Sequence, residues 1–165
     1  MSPPERDKIN VTIVEDVTST DVRPAAVYAT ARRAMIDSQL RPSGVNDPAV
    51  LERMSAVARE DFVPASARGH AYIDRAIALG EGRFLAAPVV QGMMLQEAAP
   101  AATDKALIVD GGSGYLAELL RPLVGSLDVV TPADAAAKGR KGDYTLLLVD
   151  GAAERLPAEL VKRLA

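Results

Sequence analysis

The chain has no cysteine and a single histidine, His70. The first absence excludes a disulfide scaffold and a thiolate metal site. The second excludes a metal centre built from several imidazoles. There is no surplus of basic charge either, because 19 Lys and Arg stand against 22 Asp and Glu for a net charge of −3. Neither nucleic acid nor an anionic membrane is therefore indicated as a partner. The one basic cluster, Lys138-Gly139-Arg140-Lys141-Gly142, reads as a solvated loop. No apolar run is long enough to span a bilayer, and the N-terminus carries no apolar signal core. These absences point to a soluble cytoplasmic protein, read as a monomer.

What is present suits one domain with a real core. The chain has 165 residues, nearly half of them hydrophobic. Residues 1–26 read as a flexible polar head interrupted by Pro3, Pro4 and Pro24, with Val11-Thr12-Ile13-Val14 as a possible edge strand. The spacing of Ala31, Ala34, Met35 and Ser38 predicts a helix over 27–40, ended by Pro42. Asp47-Pro48 opens a second helix, with Asp47 as its cap and Val50, Leu51, Met54 and Val57 as its apolar face. Phe62-Val63-Pro64 breaks that region, and a short helical turn is expected at 65–70. Residues 71–88 read as an irregular loop hinged at Gly80 and Gly82 and stopped by Pro88. Val89 to Ala98 reads as helix, with Val90, Met93, Met94 and Leu95 at helical spacing and the methionines as core filler.

After Pro100 the period changes. Ala106-Leu107-Ile108-Val109 has the form of a strand buried on both faces. Tyr115 to Leu123 reads as a helix that Pro122 must kink or end, closed by Gly125. Leu127–Val130 and Tyr144–Val149 read as further strands, and Pro157 opens a last helix with Leu160, Val161 and Leu164 inward. Strand, helix, strand, connection, strand, helix is the order of a parallel α/β sheet. The chain thus divides into the head, a helical and loop region over 27–100, and an α/β core over 101–165.

The segment Ile108-Val109-Asp110-Gly111-Gly112-Ser113-Gly114-Tyr115 places a glycine turn between strand and helix. Glycines there let the backbone approach a ligand, and open parallel sheets bind ligands beyond the carboxyl ends of their strands. Two nucleotide classes compete. Gly112 to Ala117 fits the dinucleotide pattern G-x-G-x-x-A, and S-adenosylmethionine enzymes use a similar turn. Both want an acid at the end of the next strand, where this chain has Val130-Thr131-Pro132, with Asp134 slightly late.

The upstream sequence decides between them. It reads Arg32-Arg33-Ala34-Met35-Ile36-Asp37-Ser38-Gln39-Leu40-Arg41, then Val45-Asn46-Asp47-Pro48-Ala49-Val50-Leu51, then Val57-Ala58-Arg59-Glu60-Asp61-Phe62-Val63-Pro64, Ala71-Tyr72-Ile73-Asp74 and Leu79-Gly80-Glu81-Gly82. With the glycine turn and its tyrosine, this set resembles the protein-L-isoaspartate O-methyltransferase family over roughly residues 30–130 and again over 143–164. The resemblance implies a shortened Rossmann-like methyltransferase fold with an N-terminal helical region. It implies S-adenosylmethionine as cofactor and, as partner, a protein or peptide carrying isoaspartyl residues. It implies methyl transfer to the free α-carboxylate of such a residue, after which the ester collapses to a succinimide.

Three positions depart from the family pattern. The family's substrate-binding serine, in a stretch near T-I-S-x-P, falls on Ala86, with Arg83 as a possible carboxylate clamp in its place or simply an exposed loop arginine. Ile108 stands where the first-strand acid is expected, and Asp110 where the first glycine is. Asp110 is then either a cofactor contact or a helix cap, and a two-residue shift would make it the acid. The ribose-binding acid falls on Thr131, and only Pro132 to Gly142 remains for the wall around an adenine. The resemblance implies further strands beyond Ala165. Asp110, Gly111, Gly112, Ser113, Gly114 and Thr131 are thus the expected cofactor contacts, and Arg83 and Ala86 the expected substrate-side positions. His70 reads as a surface or packing residue, and Asp150-Gly151 as a second ligand contact or a plain turn. The alternative reading is a degenerate, non-catalytic family member or a fragment acting as a binding module. A nicotinamide-dependent dehydrogenase would leave the block 32–82 unexplained.

Overall fold

The computed structural model describes residues 24–137 and 142–165. The Val11–Val14 segment, nearly all of the expected head and most of the basic cluster lie outside the described residues. Helix α1, Pro24–Met35, starts three residues before Val27 and passes into a π-helical turn, Ile36–Leu40, in which Arg41 N–H donates to the Ile36 carbonyl at 3.1 Å. The wider turn rotates the buried face, so Met35, Ile36 and Leu40 point inward while Ala34 and Ser38, expected on that face, are exposed.

Helix α2, Pro48–Ala56, begins as its sequence requires. Asp47 Oδ1 accepts from Val50 N–H at 3.0 Å, Pro48 sits in the first turn, and Val50, Leu51, Met54 and Val57 are buried. A 3₁₀ turn follows at Ala65–His70 and leaves His70 exposed.

The region 71–88 is not an irregular loop. It holds an antiparallel hairpin of β1, Ile77–Gly80, and β2, Arg83–Leu85, paired Ile77 to Leu85 and Ala78 to Phe84. Gly80, Glu81 and Gly82 all take positive φ (94°, 54° and 73°), and these close the turn. Pro88 ends that stretch by opening helix α3, Pro88–Ala98, one residue before the expected start at Val89. The inward positions of α3 are Pro88, Gln91, Gly92 and Leu95. That register turns Val90 and Met93 outward, at 50% and 41% exposure, so Met93 is not core filler; Met94 packs half-buried against the core.

The sheet is parallel, with β3, Lys105–Val109, between β4, Ser126–Val130, and β5, Leu146–Val149. β3 is buried on both faces, and its alternation divides the interior. Ala106 and Ile108 face the large core under α1 to α3 and α4, Tyr115–Leu120. Leu107 and Val109 face a smaller cluster with Ala135 of α5, Pro132–Ala136, and Leu160 of α6, Ala158–Val161. Pro122 ends the α4 helix as a 3₁₀ turn, Arg121–Leu123. Only Leu160 of the three expected apolar positions near the C-terminus points inward; Val161 and Leu164 are 46% and 38% exposed. The chain leaves the helix there because Arg163 is buried, its Nη2 donating to the carbonyls of Asp134, Ala135 and Ala137.

The result is a shortened Rossmann-like α/β fold with an N-terminal helical region. No helix among the described residues is long and apolar enough to cross a membrane.

Candidate functional site

Register sets the site. Val109 pairs with Val130 on one side and Val149 on the other, so all three strands stop level. The residues just beyond them are Asp110, Thr131 and Asp150, in a row across the carboxyl edge of the sheet. Asp110 N–H donates to the Val130 carbonyl and Asp150 N–H to the Val109 carbonyl, each at 2.9 Å.

The glycine turn leaves this edge. Asp110 Oδ1 accepts from Gly114 N–H at 3.0 Å, and Ser113 Oγ accepts from Tyr115 N–H at 3.1 Å. Asp110 therefore closes the turn, while the N-cap of α4 is Gly114, with no side-chain cap hydrogen bond. Gly112 and Gly114 take positive φ. A Cβ on Gly111 would run into the Asp150 carbonyl oxygen, so the two strand ends can meet only at a glycine.

A cavity of about 710 Å³ opens beside the turn, a size that suits a small organic molecule. Gly111 and Asp150 line it from the sheet, Arg83 and Ala86 from the hairpin side, and Arg155 and Leu156 from the C-terminal segment. The structure thus brings the expected substrate-side residues against the expected cofactor turn. Arg83 also forms an exposed ion pair with Glu81, Nη2 to Oε2 3.1 Å. Thr131 is placed apart. It caps α5, accepting from Asp134 N–H at 3.2 Å and donating to Asp134 Oδ2 at 2.9 Å. Of the expected cofactor contacts only Gly111 lines the cavity; Asp110, Gly112, Ser113, Gly114 and Thr131 do not.

Sequence reasoning missed the polar network beneath the cavity. Arg59 is wholly buried. Its guanidinium donates to the Ala71 carbonyl at 2.8 Å, to Gln91 Oε1 at 2.6 Å and to the Ala86 carbonyl at 2.5 Å, and it stacks 4.9 Å over the Tyr115 ring. Burial lowers its pKa, opposed by its neighbours Tyr115 and Asp150. Gln91 passes the contact on, Nε2 to Asp150 Oδ1 at 3.5 Å, and Ser113 Oγ lies 3.4 Å from Asp150 Oδ2. Asp150 is only 3% exposed, and burial raises its pKa, with the Asp110 charge adding to the shift. Gln91 had a signal in the sequence: it is polar at an inward position of α3, in register with Pro88, Gly92 and Leu95. Arg59 had none.

Comparison with known proteins gives this arrangement a lineage. Residues 30–137 match the family model Protein-L-isoaspartate(D-aspartate) O-methyltransferase (PCMT). A protein-L-isoaspartate O-methyltransferase of Roseiflexus castenholzii is 37% identical over 110 residues, 67% of this chain and 50% of the relative. One of Aeropyrum pernix is 46% identical over 104 residues, 62% of this chain and 40% of the relative. The chain thus spans about half the length of the curated relatives it matches, or less. Among solved structures, a putative protein-L-isoaspartate O-methyltransferase of Plasmodium falciparum in complex with S-adenosyl-L-homocysteine superposes with TM-score 0.65 at 18% identity, over 84% of this chain and 79% of that one. A second structure, named protein-L-isoaspartate O-methyltransferase, also has TM-score 0.65, at 14% identity, over 81% of this chain and 52% of that one. These likenesses support the fold, and with the family match over residues 30–137 the chain belongs to the protein-L-isoaspartate (D-aspartate) O-methyltransferase family.

Proposed function

We propose that the chain binds S-adenosylmethionine at the carboxyl edge of its sheet and transfers the methyl group to the free α-carboxylate of isoaspartyl residues in damaged proteins. One observation carries this reading: the glycine turn at the end of the central strand opens beside a cavity that Arg83 and Ala86 also line. Cofactor element and substrate element share one space.

The residues present suit the sulfonium and amino-acid half of the cofactor. Asp110 and Asp150 put two carboxylates beside the turn, close enough that the charge of Asp110 helps raise the Asp150 pKa. A positive group between them relieves that repulsion. The amide of Gly111, the turn residue that lines the cavity, donates no hydrogen bond among the described residues, which leaves it for the ligand's polar groups. The ribose half is less well served, because the Thr131 hydroxyl is already tied to Asp134.

When bound, the cofactor supplies an electrophilic methyl on a positively charged sulfur, and that carbon–sulfur bond breaks as the substrate oxygen bonds the carbon, with the electron pair staying on sulfur. Neither partner needs a proton moved, so the chain's task is in-line positioning. Arg83 is the donor on hand for the substrate carboxylate. Arg59 fixes the Ala86 carbonyl and so holds the wall opposite the turn. The same reading takes the chain to be a cytoplasmic monomer acting on protein or peptide substrates.

Titration calorimetry with S-adenosylmethionine, followed by transfer of labelled methyl to an isoaspartyl peptide with its aspartyl twin as control, tests the reading. Heat with transfer to the isoaspartyl peptide alone is the expected result. Heat without transfer would favour a degenerate, non-catalytic binding module, the reading favoured by Ala86 at the serine position and Thr131 at the acid position. No heat would overturn the cofactor assignment.

A further inference from the structure

Asp150 is a buried carboxylate with too few partners. It is 3% exposed, yet it lines the cavity. Its two side-chain contacts, from Gln91 at 3.5 Å and Ser113 at 3.4 Å, lie at the outer limit of hydrogen bonding. Among the described residues no cation is ion-paired with it. The three donations of Arg59 go to Ala71, Gln91 and Ala86, and Arg83 pairs with Glu81. The Asp110 charge is of the same sign and raises the cost of ionisation, and the positive charge of Arg59 opposes it without forming an ion pair, so the Asp150 pKa stays raised. A buried carboxylate so placed is completed by a cation.

Its position says which part of a ligand it meets. Through Ser113 it touches the glycine turn. Through Gln91 and Arg59 it is connected to the Ala86 carbonyl on the substrate side. The centre of a donor molecule that lies between those two elements is the one from which the group is transferred. In a sulfonium donor that centre is cationic before transfer and neutral afterwards. Resting on the cofactor reading above, we infer that Asp150 is the counter-ion of the donor's positively charged sulfur, so that the cavity holds the sulfonium nucleoside more tightly than its neutral thioether product. Such a counter-ion acts on donor capture and product release, not on the transfer step itself.

The experiment is calorimetric and needs no turnover. The wild-type chain and Asp150→Asn are titrated near neutral pH with S-adenosylmethionine and with S-adenosylhomocysteine, which share every group except the charged methyl-bearing sulfur. The wild type is expected to bind the sulfonium about tenfold more tightly, in keeping with the loss of one charge-assisted contact. Asp150→Asn is expected to lose that preference and keep its affinity for the thioether. A second measurement needs no variant. As pH is lowered from neutrality, protonation of the raised Asp150 should erode the wild-type preference. Loss of that pH dependence in Asp150→Asn assigns it to the Asp150 carboxylate. Equal weakening of both nucleosides in Asp150→Asn would overturn the inference, because the carboxylate would then address a shared group. A pH-independent ratio in the wild type would overturn it too. Either result leaves the cofactor reading standing, whereas no binding of either nucleoside would overturn both.

Discussion

Arg83 lies across Gly112: a Cβ built on the glycine would stand 2.8 Å from Arg83 Cδ and 3.0 Å from Nη1. The hairpin turn delivers it there, because Gly80 pairs with Arg83 and turns β2 back over the end of the sheet. The strand that carries the substrate-side arginine therefore rests on the turn that would hold the cofactor. Changes on one element should be felt on the other.

Replacing Gly112 with Ala tests that coupling. Its φ of 100° is strained for any residue with a Cβ. The added methyl also meets the Arg83 stem. Gly112→Ala should cost about 1–3 kcal/mol of stability from backbone strain alone, with a further loss from displacing Arg83. In an Arg83→Ala background the second part should vanish and the first remain. Thermal unfolding of the four proteins in that cycle measures it; equal costs in both backgrounds would mean that the two residues are not coupled.

Arg59 holds three acceptors on three different segments, which an ammonium cannot do from one position. Arg59→Lys keeps the charge and leaves one or two buried acceptors without a donor. It should lower stability by about 2–3 kcal/mol, or roughly 5–10 °C in Tm for a chain of this size. It should also loosen the Ala86 wall, so that affinity for an isoaspartyl peptide falls more than affinity for the cofactor. Denaturation and binding measured on the same preparation separate the two effects.

Local chemistry was legible in the sequence. The cap at Asp47, the first-turn proline at Pro48, the doubly buried run Ala106–Val109 and the glycine turn each depend on neighbours a few residues away, and each appears as expected. The hairpin was not legible, because strands of four and three residues are too short to show a period of two. Met93 and Val161 were misplaced by assuming that every apolar residue in a helix faces inward, when one inward Gln or one buried Arg fixes the register instead. The chain Arg59–Gln91–Asp150–Ser113 joins four distant segments and has no local signature.

Asp150 should make stability depend on pH in a defined direction. Its folded pKa is raised, by burial first and by Asp110 second, so the folded state binds its proton more tightly than the unfolded state does. Its contribution favours folding in full below about pH 4, the ordinary carboxylate range, and is lost as pH rises through its folded value. Asp150→Asn lacks that loss. The variant should match the wild type in Tm at the acid end and exceed it towards neutrality. A variant less stable than the wild type at neutral pH would show that the ionised carboxylate is better satisfied than its two long contacts imply.

Ala86 offers a gain rather than a loss. Its carbonyl is pinned by Arg59 at 2.5 Å, so the backbone there is fixed, and the residue lines the cavity that Arg83 also lines. Restoring the hydroxyl with Ala86→Ser places a hydrogen-bond donor on a rigid wall at little cost in volume. A hydrogen bond to a charged carboxylate is worth about 1.5–3 kcal/mol, so methyl transfer to an isoaspartyl peptide should rise by about tenfold or more. Transfer to the aspartyl twin should not change, and neither should cofactor affinity. Steady-state rates on both peptides, with calorimetry for the cofactor, decide the matter. An unchanged rate over a measurable wild-type baseline would mean that position 86 does not face the substrate carboxylate and that Arg83 alone addresses it.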